Sequence, residues 1–438
     1  LTKSIKVNAE PTKDFFISML TKDIDLKRSI IDLVDNCIDG ARRIKPDSDY
    51  NGLRVNIIVT PDKFTISDNC GGIELDTATN YAFRFGRPSD APSTLHSVGL
   101  FGVGMKRAIF KMGNEFTVES MAETSSFKLT QDIEKWKSEE DWLFEFSEHK
   151  EGLSVPTNET STTISVESLH PSVAADFSED EFCQSLGDAI GEAQARNLHK
   201  GLTISINDVK IEKIQLSMGI SETVIPAVYN ESLDVSGNEV KVRIMIGVAN
   251  PNPNLAGWYI FCNDRLVVQA EQTDLTGWRS HGIPGFHNDY ARFRGYLCFE
   301  ADEPKSLPWN TTKTGLDWGA GCFRSIKPKM MNLMKQTTDF LKQLRREKED
   351  DNANETPLQD GVDESNLRLK DVFEISEFKD LFTYPVSTAK SSRSTTRRIQ
   401  YVRPIKEVQL VMEALEVDTL KEVGEETFNY FLERECCK

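Results

Sequence analysis

Residues 32–39 read Asp-Leu-Val-Asp-Asn-Cys-Ile-Asp, and the reading of this octet decides the fold. On a helix, positions 32, 36 and 39 share one side, while Ile30, Ile31, Val34 and Ile38 lie largely on the other. A helix with one apolar face and one Asp/Asn/Asp face can hold a divalent cation. Two glycine-rich segments follow: "FTISDNCGGI" (64–73) at a strand end and "GLFGVGMKRA" (99–108) opening a helix. A carboxylate-amide helix, an Asp-Gly-Gly turn and a glycine-rich phosphate loop, in that order, are the components of a nucleotide site.

Working outward, 438 residues suffice for two or three domains, each with its own core. A hydrophobic content of 39% with 28% charged residues is that of a globular chain able to bury its apolar surface. The net charge of −17 argues against indiscriminate coating of nucleic acid, although a local basic segment can still meet phosphate. No apolar run approaches the ~20 residues of a membrane span, and residues 1–10 (LTKSIKVNAE) lack a signal-peptide core, so a cytoplasmic protein off the membrane is expected. The eight cysteines show no CxxC or Cys/His zinc spacing and read as reduced thiols. Cys436 and Cys437 are either reactive or incidental.

Helices are expected at 15–20 and 25–43, a hairpin at 53–59 and 64–67, strands at 115–120, 126–130, 142–147 and 161–169, and a helix at 179–197. Residues 84–98, with two prolines and small polar residues, form a long loop between the glycine motifs and read as a lid. This α+β sandwich occupies residues 1–200. A second α/β unit, 201–345, opens with the strand LTISIN, continues through GWYIFCNDRLVVQ and closes in a helix over 323–346. Residues 346–370 are charged, poor in aromatics and expected as a linker. The last region, 371–438, has a basic stretch (Lys390, Arg393, Arg397, Arg398, Arg403, Lys406) and two short amphipathic helices at 406–415 and 421–434.

Each motif has a plainer alternative. The Asn36 amide oxygen suits one position of an octahedral magnesium whose other ligands are phosphate oxygens and water; the plain reading is a solvated polar stripe. Asp68 can accept from an exocyclic amine, with Gly71 and Gly72 letting backbone approach a flat ligand, or it can simply begin a turn. Gly99, Gly102 and Gly104 place bare backbone ahead of a helix N-terminus, an arrangement that binds phosphate. The segment matches neither a Walker A loop nor the Rossmann fingerprint. His96 reads as a surface histidine or a phosphate contact.

Together these segments resemble the GHKL ATPase superfamily, which includes gyrase B, MutL, the ninety-kilodalton heat-shock chaperones, MORC proteins and histidine-kinase ATP domains. The resemblance spans roughly residues 10–320 and implies a Bergerat-type two-layer α/β sandwich followed by a transducer-like α/β domain. It implies ATP with Mg2+, Asn36 as magnesium ligand, Asp68 as adenine reader, and Gly72 beside the base. Thr162, in "STTISV", would support an adenine-bound water, although Ser161 stands where the family usually has glycine. Gly99, Gly102 and Gly104 would wrap the phosphates, with Lys106 adding charge as in MORC-like loops. In "LPWNTTKTGLDW" (307–318), Lys313 fits the transducer lysine that reaches the γ-phosphate. "YIFCNDRLV" (259–267) is similar to a strand-turn-strand of MutL and MORC transducers.

Two departures matter. Where the family has a general-base glutamate, four residues before the asparagine, this chain has Asp32, whose stem is one methylene shorter, so slow hydrolysis is expected. Cys70 replaces a common glycine. Asp35 and Asp39 read as supporting polar groups rather than bases. The resemblance, nearest to MORC and the ninety-kilodalton chaperones, implies a magnesium-dependent ATP hydrolase working as a nucleotide-switched clamp that homodimerises on ATP binding. One form is DNA-linked through 390–406, in antiviral genome defence or repair. Another is an ATP-switched interaction module whose C-terminal helices recruit a protein effector with little turnover. A pocket that binds ATP only structurally is a third.

Overall fold

The computed structural model describes residues 11–46, 49–86, 96–99, 102–310, 313, 315–349, 355–375, 379–385, 399 and 402–436. The chain is α+β, and its contacts divide it into a unit spanning 1–387 and another spanning 388–438.

The first layer of the larger unit is an eight-stranded sheet: β1 (Arg54–Val59), β2 (Phe64–Asp68), β3 (Gly113–Met121), β4 (Ser125–Asp132), β5 (Glu148–Glu151), β6 (Ser161–Leu169), β7 (Thr203–Ile206) and β8 (Val209–Lys210). Their order is β5-β4-β3-β6-β2-β1-β7-β8. Neighbours run antiparallel except β1 and β7, which pair parallel from Arg54↔Thr203 to Ile57↔Ile206. Helices α1 (Lys13–Lys22), α2 (Leu26–Ile44), α3 (Leu75–Thr77), α4 (Gly104–Met112), α5 (Ile133–Ser138), α6 (Pro171–Phe177), α7 (Asp180–Ala193) and α8 (Ala195–His199) accompany it. Ile30, Ile31, Val34 and Ile38 of α2 share one core with Val55 and Ile57 of β1, Phe64 and Ile66 of β2 and Val166 of β6. Asp25 starts α2 by accepting from the Arg28 amide at 3.0 Å. Gly40 lets the helix meet the following turn, since a Cβ there would lie 2.4 Å from the Cys70 carbonyl oxygen.

Three expectations change here. Strand 203–206, assigned above to the second unit, completes the first sheet instead, because β1 otherwise has a bare edge. Residues 142–146 form no strand: Phe144 and Phe146 pack on Phe83 while β5, at 148–151, takes the ladder beside β4. The helix expected over 179–197 breaks at Gln194 (φ −108°, ψ 16°), whose amide turns toward α2.

The second sheet contains β10 (Ala227–Val235), β11 (Asn238–Val248), β12 (Gly257–Cys262), β13 (Arg265–Glu271) and β14 (Phe293–Glu300), with β9 (Ser217–Ile220) coming before them in the chain. Its order is β10-β11-β14-β12-β13, with β12 and β14 parallel. Helix α9 (Gly321–Glu349) buries Phe323, Ile326, Met330, Leu333 and Phe340 in the core that Trp258, Phe293 and Leu297 of this sheet share. The stretch 346–370, expected as a linker, begins as the end of α9. Its described remainder folds: α10 (Pro357–Val362) buries Leu358 and Val362 in that core, and β15 (Arg368–Asp371) pairs with β9. The amides of Leu358 and Gln359 donate to the buried Glu347 carboxylate at 3.1 and 2.9 Å.

In the smaller unit, α11 (Ile405–Leu415) and α12 (Leu420–Phe431) form as the spacing predicts, α12 with a Thr419/Glu422 capping box. Neither helix buries a residue. No helix among the described residues is long and apolar enough to cross a membrane.

Candidate active site

Helix α2 is buried on both sides. Its apolar side meets the first sheet, and its acidic side is roofed by cations. Between Ser29 and Arg42 only Asn36 is exposed, and its amide has no hydrogen bond among the described residues. Asp32 pairs with the Arg107 guanidinium and lies 3.4 Å from Lys313 Nζ. Asp35, with no exposed surface, receives Arg265 Nη1 at 2.5 Å, Gln194 Nε2 at 2.8 Å and Lys313 Nζ at 2.9 Å. Burial pushes the Asp35 carboxyl up, but the charges of Arg265 and Lys313 outweigh it and hold the group below its ordinary range. Lys313 is buried too, and Asp35 and Asp32 overcome the downward pull of burial to keep its ammonium charged. Asp39 accepts from the Val98 and Gly99 amides, both at 2.8 Å, which pins the C-terminal end of the 84–98 stretch; burial pushes its carboxyl up despite Arg42. Of the stretch 84–98 expected as a lid, residues 87–95 lie outside the described residues.

The glycine loop meets the same face. A Cβ on Gly99 would sit 3.8 Å from Asn36 Oδ1, and one on Gly104 would sit 3.6 Å from the Asp32 side chain. Gly102 is left-handed at φ 64°, and Gly104 begins α4. Leu100 and Phe101 lie outside the described residues. Lys106 turns away from this face: its ammonium donates to the Gly102 carbonyl and to the Ala82 carbonyl at 2.8 Å, and burial lowers it to about 7. It braces the loop from behind.

The first sheet places the remaining expected groups. Asp68 ends β2 directly opposite Thr162 of β6, and its carboxylate takes the Cys70 amide at 2.8 Å. Burial pushes the Asp68 carboxyl up. Gly72, at φ 65°, brings its backbone so near β3 that a Cβ would lie 2.3 Å from the Met121 carbonyl oxygen. No side chain fits there.

Asn36 thus lies one helical turn after Asp32, which Lys313 approaches, while Asp68 and Thr162 pair across the sheet and Gly72 backs onto β3. Among the described residues no cluster of His, Cys, Asp or Glu could enclose a metal. The exposed Asn36 amide oxygen is a neutral hard donor, the kind that suits a cation otherwise completed by phosphate and water.

Apart from Lys313, sequence reasoning missed the cations that secure this face. The β12–β13 turn, Asn263 and Asp264 at φ 45° and 68°, is the left-handed pair that Asn-Asp favours. Asp264 gathers Arg196 at 2.7 Å, Lys200 at 2.6 Å and Arg42 at 3.3 Å. Burial would raise its carboxyl, but these three hold it far below the ordinary range. Asn263 donates to the Ser97 carbonyl at 3.2 Å, so the turn also holds the chain just ahead of the glycine loop. One signal was available: in Cys-Asn-Asp-Arg-Leu-Val the arginine leads directly into apolar strand residues, and a guanidinium buried with them needs an acid.

Residues 24–163 match the family model described as Histidine kinase-, DNA gyrase B-, and HSP90-like ATPase. No curated protein matches the chain. The matched span holds Asp32, Asn36, Asp68, Gly72, the glycine loop and Thr162 but stops before β7 and Lys313. By that match and by its mixed α+β fold, the segment from 24 to 163 is similar to the ATP-binding domains of the GHKL superfamily, whose general chemistry is ATP binding and hydrolysis.

Proposed function

We propose that this chain is a magnesium-dependent ATP hydrolase acting as a nucleotide-switched clamp. The observation that carries the reading is the placement of the exposed Asn36 one helical turn after Asp32, which Lys313 approaches at 3.4 Å, together with the pairing of Asp68 opposite Thr162. Asp68 accepts from the adenine amine with Thr162 beside it, Gly72 lies against the base, and Gly99, Gly102 and Gly104 follow the phosphates. Asn36 holds the magnesium, which neutralises phosphate charge when bound. Asp32 orients a water and takes its proton as the water oxygen bonds to the γ-phosphorus and the bond to the β-γ bridging oxygen breaks, giving ADP and phosphate. Lys313 passes from the two aspartates to the γ-phosphate, offsetting its charge and relieving Asp32 of one counter-ion. We assign residues 1–200, completed by β7 and β8, to ATP binding and the second sheet to relaying nucleotide state, with dimerisation on ATP binding.

The test is phosphate release from Mg-ATP by the wild type and Asp32→Asn, with nucleotide binding measured for both. The expected result is turnover that falls at least about a hundredfold in the variant while binding persists. Turnover unchanged by the substitution removes Asp32 as the base.

A second reading has its own support. Asp32 is held by two cations, and α11 and α12 leave Leu410, Phe428 and Phe431 exposed, which favours an ATP-switched module that recruits a protein effector with little turnover. DNA linkage in genome defence or repair would run through 390–406, of which only 399 and 402–406 are among the described residues. DNA-stimulated hydrolysis that weakens as salt rises supports DNA; ATP-dependent effector capture indifferent to DNA supports the module.

A further inference from the structure

The carboxylate of Asp35 is shared between two cations from the second-sheet region, and the two are not equivalent. Its Oδ1 takes Arg265 and Gln194, while Oδ2 takes Lys313. Arg265 is 1% exposed and opens β13, where the Cys262↔Arg265 pairing fixes its backbone. Lys313 stands in a loop at φ 53° and reaches Asp35 by its long stem. One counter-ion is built into a sheet; the other hangs from a turn.

The asymmetry decides whether Lys313 can leave. A buried carboxylate deprived of its only cation is strongly penalised, so a lysine that alone neutralised Asp35 would be trapped there. With Arg265 in place, Oδ1 keeps its cation and Gln194 keeps its hydrogen bond when Lys313 departs. We propose that Arg265 is a positioning residue for the nucleotide reaction: by holding the Asp35 charge permanently, it frees Lys313 for the γ-phosphate. The proposal rests on the reading of Lys313 given above. It also assigns Asp35 a role, as the parking site that keeps the ammonium near the phosphates before nucleotide arrives.

The readout is the ratio of affinities for a non-hydrolysable ATP analogue and for ADP, both with magnesium, measured calorimetrically on the full chain. Lys313 meets only the γ-phosphate, so the ratio isolates its contribution, whereas general damage to the pocket lowers both affinities together. Arg265→Met is expected to lower the ratio at least about tenfold, the loss of one charged contact, with ADP binding retained. Adding Asp35→Asn removes the charge that would hold Lys313 and is expected to restore the ratio. An unchanged ratio in Arg265→Met, or no recovery in the double variant, overturns the proposal. If Arg265→Met does not fold, Asp35→Asn alone serves: the ratio should be maintained or raised, and a fall overturns the proposal. Lys313→Ala separates the two layers. A ratio it leaves intact removes the γ-phosphate role and this inference with it; a ratio lost in Lys313→Ala but kept in Arg265→Met removes only the inference.

Discussion

Lys106 shows at the scale of one residue how position and direction part company. The sequence places it two residues after Gly104, beside expected phosphates, yet its ammonium is buried against the carbonyls of Gly102 and Ala82. Its folded value of about 7 lies below the ordinary 10.5, so between those values the unfolded chain binds more protons than the folded one. Stability therefore rises with pH across that window. Thermal melts of the wild type and Lys106→Met from pH 7 to 10 should show the wild type gaining relative to the variant. A constant gap would mean that the ammonium is not buried. The placements of Asn36, Asp68 and Gly72 were legible because each is local: an amide on a helix, an acid at a strand end, a glycine at positive φ. Arg107 on Asp32 was not, since nothing near residue 107 announces an acid 75 residues earlier.

Among the elements, α2 and the β12–β13 hairpin carry most of the architecture of the site. The helix was readable from its period, but its burial on both sides was not, because the roof arrives from a sheet 230 residues further along. Asp264 is the centre of that junction. With its folded carboxyl held far down by Arg196, Lys200 and Arg42, the unfolded chain binds more protons below its ordinary value of 3.8. The stability it contributes is complete above about pH 4 and drains as pH falls further. Asp264→Asn should cost about 3–5 kcal/mol near neutrality, since three cations lose their buried partner. The variant should also lack this component of the acid transition in chemical denaturation followed from pH 5 to 2; a wild-type acid slope retained in Asp264→Asn would contradict the assignment.

On the scale of the whole molecule, the family match and the physical sheet have different ends. The match stops at residue 163, whereas the sheet closes only with β7 and β8 at 203–210. A fragment of residues 11–200, which keeps β6 and α6–α8 but lacks β7 and β8, therefore exposes the edge of β1, with Ile58 already half exposed, and should aggregate on expression, while residues 11–210 should stay dispersed in light scattering. Equal dispersion of the two would show that β1 tolerates a bare edge. The alternation of LTISIN announced a strand but not its neighbour: period 2 specifies faces, whereas the parallel partner is set by what the intervening chain can reach.

That pairing also orders events in time. Asn56 and Ser205, whose side chains bond at 3.0 Å across β1 and β7, lie 149 residues apart. At roughly 5–20 residues per second of synthesis, β1 would leave the ribosome on the order of 7–30 seconds before its partner. During that interval the nascent chain holds a hairpin with one open side, so a ribosome slowed between the codons for Val59 and Thr203 lengthens the period in which this protein is most exposed to misassembly.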